Sequence, residues 1–420
     1  MSKPNRLEHA AALIDRDAPR MVEELRRLIA IDTSLPPGEN YPAMATALTA
    51  LFEPLGFACR RVAVPPELWQ ADGFGFSGPR ENLIAERGGG GPPIALYAHI
   101  DAVPPGPGWT RPPFALTADG DRLYGRGTAD MKGTIPCVLA ALRAADAAGL
   151  RLRFSPAFFG CTDEEAGAYP GIRYLAEIGI VRGPILCLNG GAAPRIYGGS
   201  FGSIDLCLAV HGRSGHASGA HGTTVNAIEA TVPLLGALMA LKVRVAERAS
   251  TAIAPPPGHD GPLRPRLTFG VIAGGVKSSQ TPALCSLIVN RRYAPEEDVE
   301  AAVAEIERVA RAAIAPTGAS LAITRGGHLA PVVDPDGPET ARWADAMAWG
   351  FGFPRESFVR YGSVSSSDMG WAQRAGLRHV LLGGLSRADN GVHGADEFTT
   401  MADMRALARS LLAFLCTDTP

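Results

Sequence analysis

Apolar and polar positions along the chain follow two rhythms. Residues 7–31 carry apolar side chains at helical spacing, with Leu25, Leu28 and Ile29 on one side. Residues 42–55 repeat that spacing up to Gly56, which suits a helix end. Short apolar runs at 82–85 and 94–98, joined through the glycines of 88–91, read as strands. An alanine-rich stretch, 133–148, predicts a long helix, and 154–159 and 185–188 predict further strands. Strands alternating with helices make this an α/β fold, with a mixed central sheet covered by helices.

The rhythm changes near Gly198. Residues 203–210 alternate as a strand with one wet face, and a helix follows at 226–241. After a proline-rich loop at 254–265 come strands at 267–272 and 284–290 and a helix at 296–314. That order fits a small α+β unit inserted into the larger one. From Ala330 the alternation resumes, with helices at 340–349 and 401–415 and a strand at 379–382. The expected division is a main domain of 1–198 and 313–420 around an inserted unit of 199–312.

Length supports two domains, since 420 residues exceed one ordinary core. A net charge of −2, from 40 basic and 42 acidic residues, offers nothing to a nucleic acid or an acidic membrane. No apolar run approaches the ~20 residues of a membrane span. The seven cysteines are scattered and form no CxxC pair, so free thiols in a reducing cytoplasm are expected. The first residues are not those of a signal peptide.

Charged groups cluster just past the apolar runs. His99-Ile-Asp101 ends the run at 94–98, Asp130 sits in the glycine-rich stretch 125–133, and Asp163-Glu164-Glu165 follows 154–159. In open α/β sheets the ligand site lies outside the carboxyl ends of the strands. Taken singly, His99 could cap a strand, Asp130 could cap a helix, and the three acids could form a solvated turn. Ionised carboxylates this close repel unless a cation or solvent intervenes, and beside His99 and Asp130 a cation explains them better. One glutamate could bind it while its neighbour acts as general base on water. His393, in a polar loop after the 379–382 strand, and His216, in the inserted unit, are weak signals alone.

Together these segments resemble metallopeptidase family 20, which contains acetylornithine deacetylase, succinyl-diaminopimelate desuccinylase, aminoacylase and the glutamate carboxypeptidases. The carriers are Ala98-His-Ile-Asp-Ala-Val-Pro104, Trp109 with Pro113-Phe114, Gly125-Arg-Gly-Thr-Ala-Asp-Met-Lys-Gly133, Thr162-Asp-Glu-Glu165, Gly215-His-Ala-Ser218 with Asn226-Ala-Ile228, and the stretch from His393 to Glu397. The resemblance implies a zinc-peptidase-like catalytic domain broken by a lid that also forms a homodimer interface. It implies His99 on one metal, Asp130 bridging, and Glu165 with His393 on the other. It implies that Asp101 orients His99 and that Glu164 is the general base. His216 would polarise the scissile carbonyl, reaching a neighbouring subunit's site, and Arg292 and Asn226 would bind substrate.

Two positions depart from the family pattern. Asn189 stands where relatives place a carboxylate, the third ligand of the His99 metal, and an amide is a weaker ligand. Ser279 stands where relatives usually have an asparagine. One firmly held divalent ion (zinc, manganese or cobalt) and a weak second are therefore expected. The leading function is hydrolysis of a non-ester C–N bond in a small carboxylate-bearing molecule. The alternatives are an aromatic aminohydrolase resembling 5-nitroanthranilate aminohydrolase, with Phe74, Phe76, Phe351 and Phe353 in glycine-lined loops, and a non-catalytic binding protein.

Overall fold

The computed structural model describes residues 6–70, 74–216 and 224–417. The first sheet has six strands. β1 (Ala58–Val64), β2 (Arg80–Glu86), β3 (Pro93–His99), β4 (Ser155–Cys161) and β5 (Ile185–Cys187) lie in the order β1-β2-β4-β3-β5, and Val380–Leu382 closes the far edge. β1, β2 and β4 pair antiparallel; β4, β3, β5 and Val380–Leu382 pair in parallel. Parallel strands are buried on both faces, so they read as unbroken apolar runs. Residues 94 to 98 are all fully buried.

Helices cover both faces. Leu96 and Ala98 point to one side, where α1 (Arg6–Ile29), α2 (Tyr41–Phe52) and α3 (Thr134–Ala147) pack through Leu25, Leu28, Met44, Leu48, Val138 and Leu142. Ala95 and Tyr97 point to the other, against α4 (Ile172–Glu177). Strand alternation alone divides the two cores.

β6 (Arg195–Ser200) leads into a second sheet built from β7 (Gly202–His211), β8 (Arg266–Gly274), β9 (Leu284–Tyr293) and β10 (Ser320–Leu329), antiparallel in the order β8-β9-β7-β10. α5 (Ala227–Ala246) and α6 (Val299–Ile314) cover one face, with Leu234, Leu238 and Ile306 against Leu206 and Leu208. Residues 320–329 are hydrogen-bonded to β7, so this sheet runs past residue 312, where the sequence pattern placed the end of the insertion.

The chain then returns to the first unit. β11 (Val332–Val333), α7 (Thr340–Phe351), β12 (Val359–Ser363), α8 (Met369–Arg374), the edge strand Val380–Leu382 (β13) and α9 (Met401–Leu415) follow in turn. β11 and β12 flank β6 in a three-stranded sheet. α7 and α9 join the core of α1 and α3, and α8 joins α4.

Candidate active site

Loops at the carboxyl ends of the parallel strands converge. His99 is the last residue of β3; Glu164 and Glu165 follow β4, Asn189 follows β5, and His393 lies beyond β13. Asp130 comes from the loop before α3 and stands between the two histidines. Its Oδ1 is 3.0 Å from His99 Nε2 and its Oδ2 is 3.2 Å from His393 Nε2. His393 Nε2 is also 3.0 Å from Glu165 Oε2. His99, Asp130 and Glu165 bring ligand atoms within 4.8 Å of one another.

His99 Nδ1 lies 3.1 Å from the main-chain carbonyl of Asp101. A carbonyl only accepts, so Nδ1 donates to it, while Nε2 faces Asp130. Asp101, which the resemblance assigns to orienting this ring, also places its carboxylate Oδ1 3.7 Å from Nδ1, so both its carbonyl and its carboxylate face His99. The same carboxylate accepts the Glu165 N–H through Oδ2 at 2.9 Å. It thereby couples the His99 loop to the Glu165 loop.

The donor set fits a divalent cation. Asp101 Oδ1 and Glu165 Oε1 are buried without a hydrogen-bond partner. Burial drives the Glu164 carboxyl well above its ordinary range and pushes Asp101 up to about 7. Burial also opposes ionisation of Asp130, yet hydrogen bonds from His393 and His99 hold it below the usual carboxylate range. In turn Asp130 and Glu165 push His393 up to about 10. Crowded acids that keep their charge only beside cationic partners are what an oxygen- and imidazole-binding metal requires.

Residues that the sequence did not single out hold these groups in place. Glu397 is fully buried, and its carboxylate accepts the N–H groups of Gly127, Ala129 and Asp130 at 3.1, 2.9 and 3.1 Å. Arg126 Nη1 donates to it at 2.5 Å. Arg80, also buried, donates from Nε to Asp163 at 3.0 Å and from Nη1 to the carbonyls of Gly38 and Gly78, and stacks 4.0 Å above the Trp69 ring. Asp163 has φ +64°, a turn conformation that aspartate tolerates, and the turn aims Glu164 and Glu165 at the cluster. Asp368, at the start of α8, accepts the Tyr97 hydroxyl at 2.5 Å beneath the site.

A cavity of about 730 Å³ opens over the cluster, lined by Asp130, Glu164, Glu165, Asn189 and His393. Arg292 of β9 enters from the second sheet, its Nη1 donating to Ser366 Oγ at 3.0 Å. His216 and Asn226 are not among the residues that line this cavity. His216 is exposed in a two-residue strand paired with Gln280–Thr281. The Asn226 side chain caps α5, accepting from the Ile228 and Glu229 N–H groups. Phe351 and Phe353 stack on each other against the first core, and Phe74 packs on Gly326; none of the three lines the cavity.

The family model described as peptidase family M20/M25/M40 matches residues 95–417. A succinyl-diaminopimelate desuccinylase of Rhizorhabdus wittichii is 32% identical over 399 residues, 91% of this chain and 94% of that enzyme. Another, of Gluconobacter oxydans, is 40% identical over 153 residues, 34% of this chain and only 39% of that enzyme. Among solved structures, human carnosine dipeptidase 1 shares the fold with a TM-score of 0.77 at 20% identity, covering 97% of this chain and 99% of that one. The chain belongs to peptidase family M20/M25/M40. It is a hydrolase acting on carbon–nitrogen bonds, with a candidate metal site of histidine, aspartate and glutamate.

Proposed function

We propose that this chain hydrolyses an amide bond in a small carboxylate-bearing substrate, with Glu164 as general base. The observation that carries the reading is the placement of Asp130 between His99 and His393, with Glu165 on the His393 side and Glu164 buried at the same cavity. A divalent cation bound there supplies Lewis-acid polarisation of the carbonyl and of water. Glu164 takes the proton of the attacking water and later delivers it to the leaving nitrogen. Its poor solvation suits both tasks, because a carboxylate stripped of water is the stronger base. Arg292 is free to present its remaining donors to a substrate carboxylate.

Asp130, Glu165 and His393 would hold the firmer metal. The position beside His99 has Asn189 on the cavity wall where a carboxylate would strengthen it. The donor chemistry suits zinc, manganese or cobalt alike. His216 and Asn226, both on the second sheet's unit, would serve a site only across a homodimer. In support, α5 exposes Val232, Met239 and Val243 at helical spacing, and the edge strand β8 exposes Val271 and Ile272. These exposed apolar positions would be covered if the inserted unit doubles as a dimer interface, and a cytoplasmic location accords with seven free cysteines.

The aromatic aminohydrolase reading gains nothing from the phenylalanines, which pack elsewhere. The test is a panel of N-acyl amino acids and an aminobenzoate, each with added manganese, cobalt or zinc. Release of free amino acid supports the proposal. Ammonia from the aminobenzoate alone, or no turnover at all, contradicts it.

A further inference from the structure

We propose that Arg195 receives a second anionic group of the substrate, beyond the carboxylate facing Arg292; the inference rests on the amide-hydrolase reading above. β6 and β12 pair in parallel with Tyr197 beside Tyr361. Residues two apart on a strand share a face, so Arg195 and Tyr197 point the same way, while Ile196 packs into the first core. The Arg195 guanidinium lies over the Tyr361 ring, 4.8 Å from its centroid. All three side chains line the cavity that contains Asp130, Glu164 and His393. A small cavity of about 10 Å³ adjoins them, also lined by Gly191, Ala193 and Leu382.

The charges on that wall are unevenly matched. Arg387 is neutralised by Asp403 through two hydrogen bonds of 2.6 and 2.7 Å. Asp336, the acid beyond Arg195, is paired with Arg360. Arg195 has no acid partner among the described residues and packs over the face of Tyr361. A guanidinium packed over a ring makes no hydrogen bond to it and keeps its forked donors for a planar carboxylate. Arg292 lies near Asp205 but spends its hydrogen bonds on Ser366 and the Val364 carbonyl, so the cavity offers two guanidinium groups and suits a dianion better than a monoanion. The substrate class is therefore an N-acyl amino acid or dipeptide with two carboxylates, the span between them lying along the tyrosine wall.

Three substrates test this on the manganese-loaded full chain. N-acetyl-L-alanine has one carboxylate; N-acetyl-L-glutamate adds one on the amine side and N-succinyl-L-alanine one on the acyl side. In the native protein at least one dianion should exceed N-acetyl-L-alanine in kcat/KM by about 10-fold or more. Arg195→Gln should cut that ratio by about 10-fold, mainly through KM, and Arg195→Lys should restore part of it. If Arg195→Gln leaves the ratio unchanged, the proposal is overturned while the hydrolase reading stands. If the native protein turns over none of the three and no other N-acyl amino acid either, both readings fall.

Discussion

The Asp130 N–H donates to Glu397 Oε1 at 3.1 Å, although 267 positions separate the two residues in the chain. The same carboxylate holds Gly127 and Ala129, so the loop that presents Asp130 is wrapped around one buried acid. Glu397→Gln keeps the shape but turns an NH2 group toward backbone donors and leaves Arg126 uncompensated. Partners that orient metal ligands are worth roughly 10–100-fold in metal affinity. Titration calorimetry with manganese should show a loss of that order, with a lower unfolding temperature. Unchanged affinity would mean that Glu397 only stabilises the fold.

Glu164 stands at the cavity without a place in the ligand cluster. Glu164→Gln should therefore abolish turnover and leave manganese affinity within a few-fold of the native value. Substantial residual hydrolysis in that variant would remove the base assignment. A parallel loss of metal would move Glu164 into the ligand set.

Arg80 and Asp163 form a buried ion pair directly behind the two glutamates. Removing one partner of such a pair leaves a charge without solvent and costs about 3–5 kcal/mol. Arg80→Met should lose that much in chemical denaturation. The double variant with Asp163→Asn should recover part of it, since the two positions are in contact. Additive losses would show that Arg80 acts through its ring stacking and carbonyl contacts alone.

His328 ties the ends of β9 and β10 to α8. Its Nε2 is 2.7 Å from the Tyr293 hydroxyl, and the Trp371 indole donates to its carbonyl at 2.5 Å. Burial, then the positive charges of Arg374 and Arg173, push the imidazole down to about 4, with Glu300 opposing and Arg325 reinforcing. A free histidine titrates near 6.5. The unfolded chain therefore binds the proton first, and stability falls as pH drops from about 6.5 toward about 4. His328→Gln should show a shallower fall in urea midpoint across that window. Parallel curves for the two proteins would exclude His328 as the cause.

Asn189 gives the clearest test of metal count. Asn189→Glu adds a carboxylate on the cavity wall beside the cluster, and a second equivalent of metal should then survive dialysis. Two equivalents surviving in the native protein would contradict a weakened second position.

Much of this was written in the apolar pattern. β3, β4 and β5 are short buried runs, and the chemistry lies at their ends, so His99, Asp130, Glu164 and Glu165 stood out. β1 did not, because it is an edge strand whose residues are mostly exposed and carry no alternation. β10 was missed as well, since Gly326 and Gly327 interrupt it where the backbone passes close to Phe74 and Ala166. Without β10 the apolar pattern ends the inserted unit at 312, and β10 carries its sheet further. Arg80 and Glu397 are residue types that are rarely buried, and most of their partners, main-chain groups together with Asp163 and Arg126, lie far from them in the sequence. Asp101 shows the same limit: its proximity to His99 was legible, but which of its oxygens meets the ring was not.

The direct test of the central claim is titration of manganese into chelator-treated protein, with hydrolysis of an N-acyl amino acid followed in the same samples. The account predicts that treated protein is inactive, that one equivalent binds tightly, and that activity returns with that first equivalent. Full activity after chelation, or no saturable binding, would contradict it.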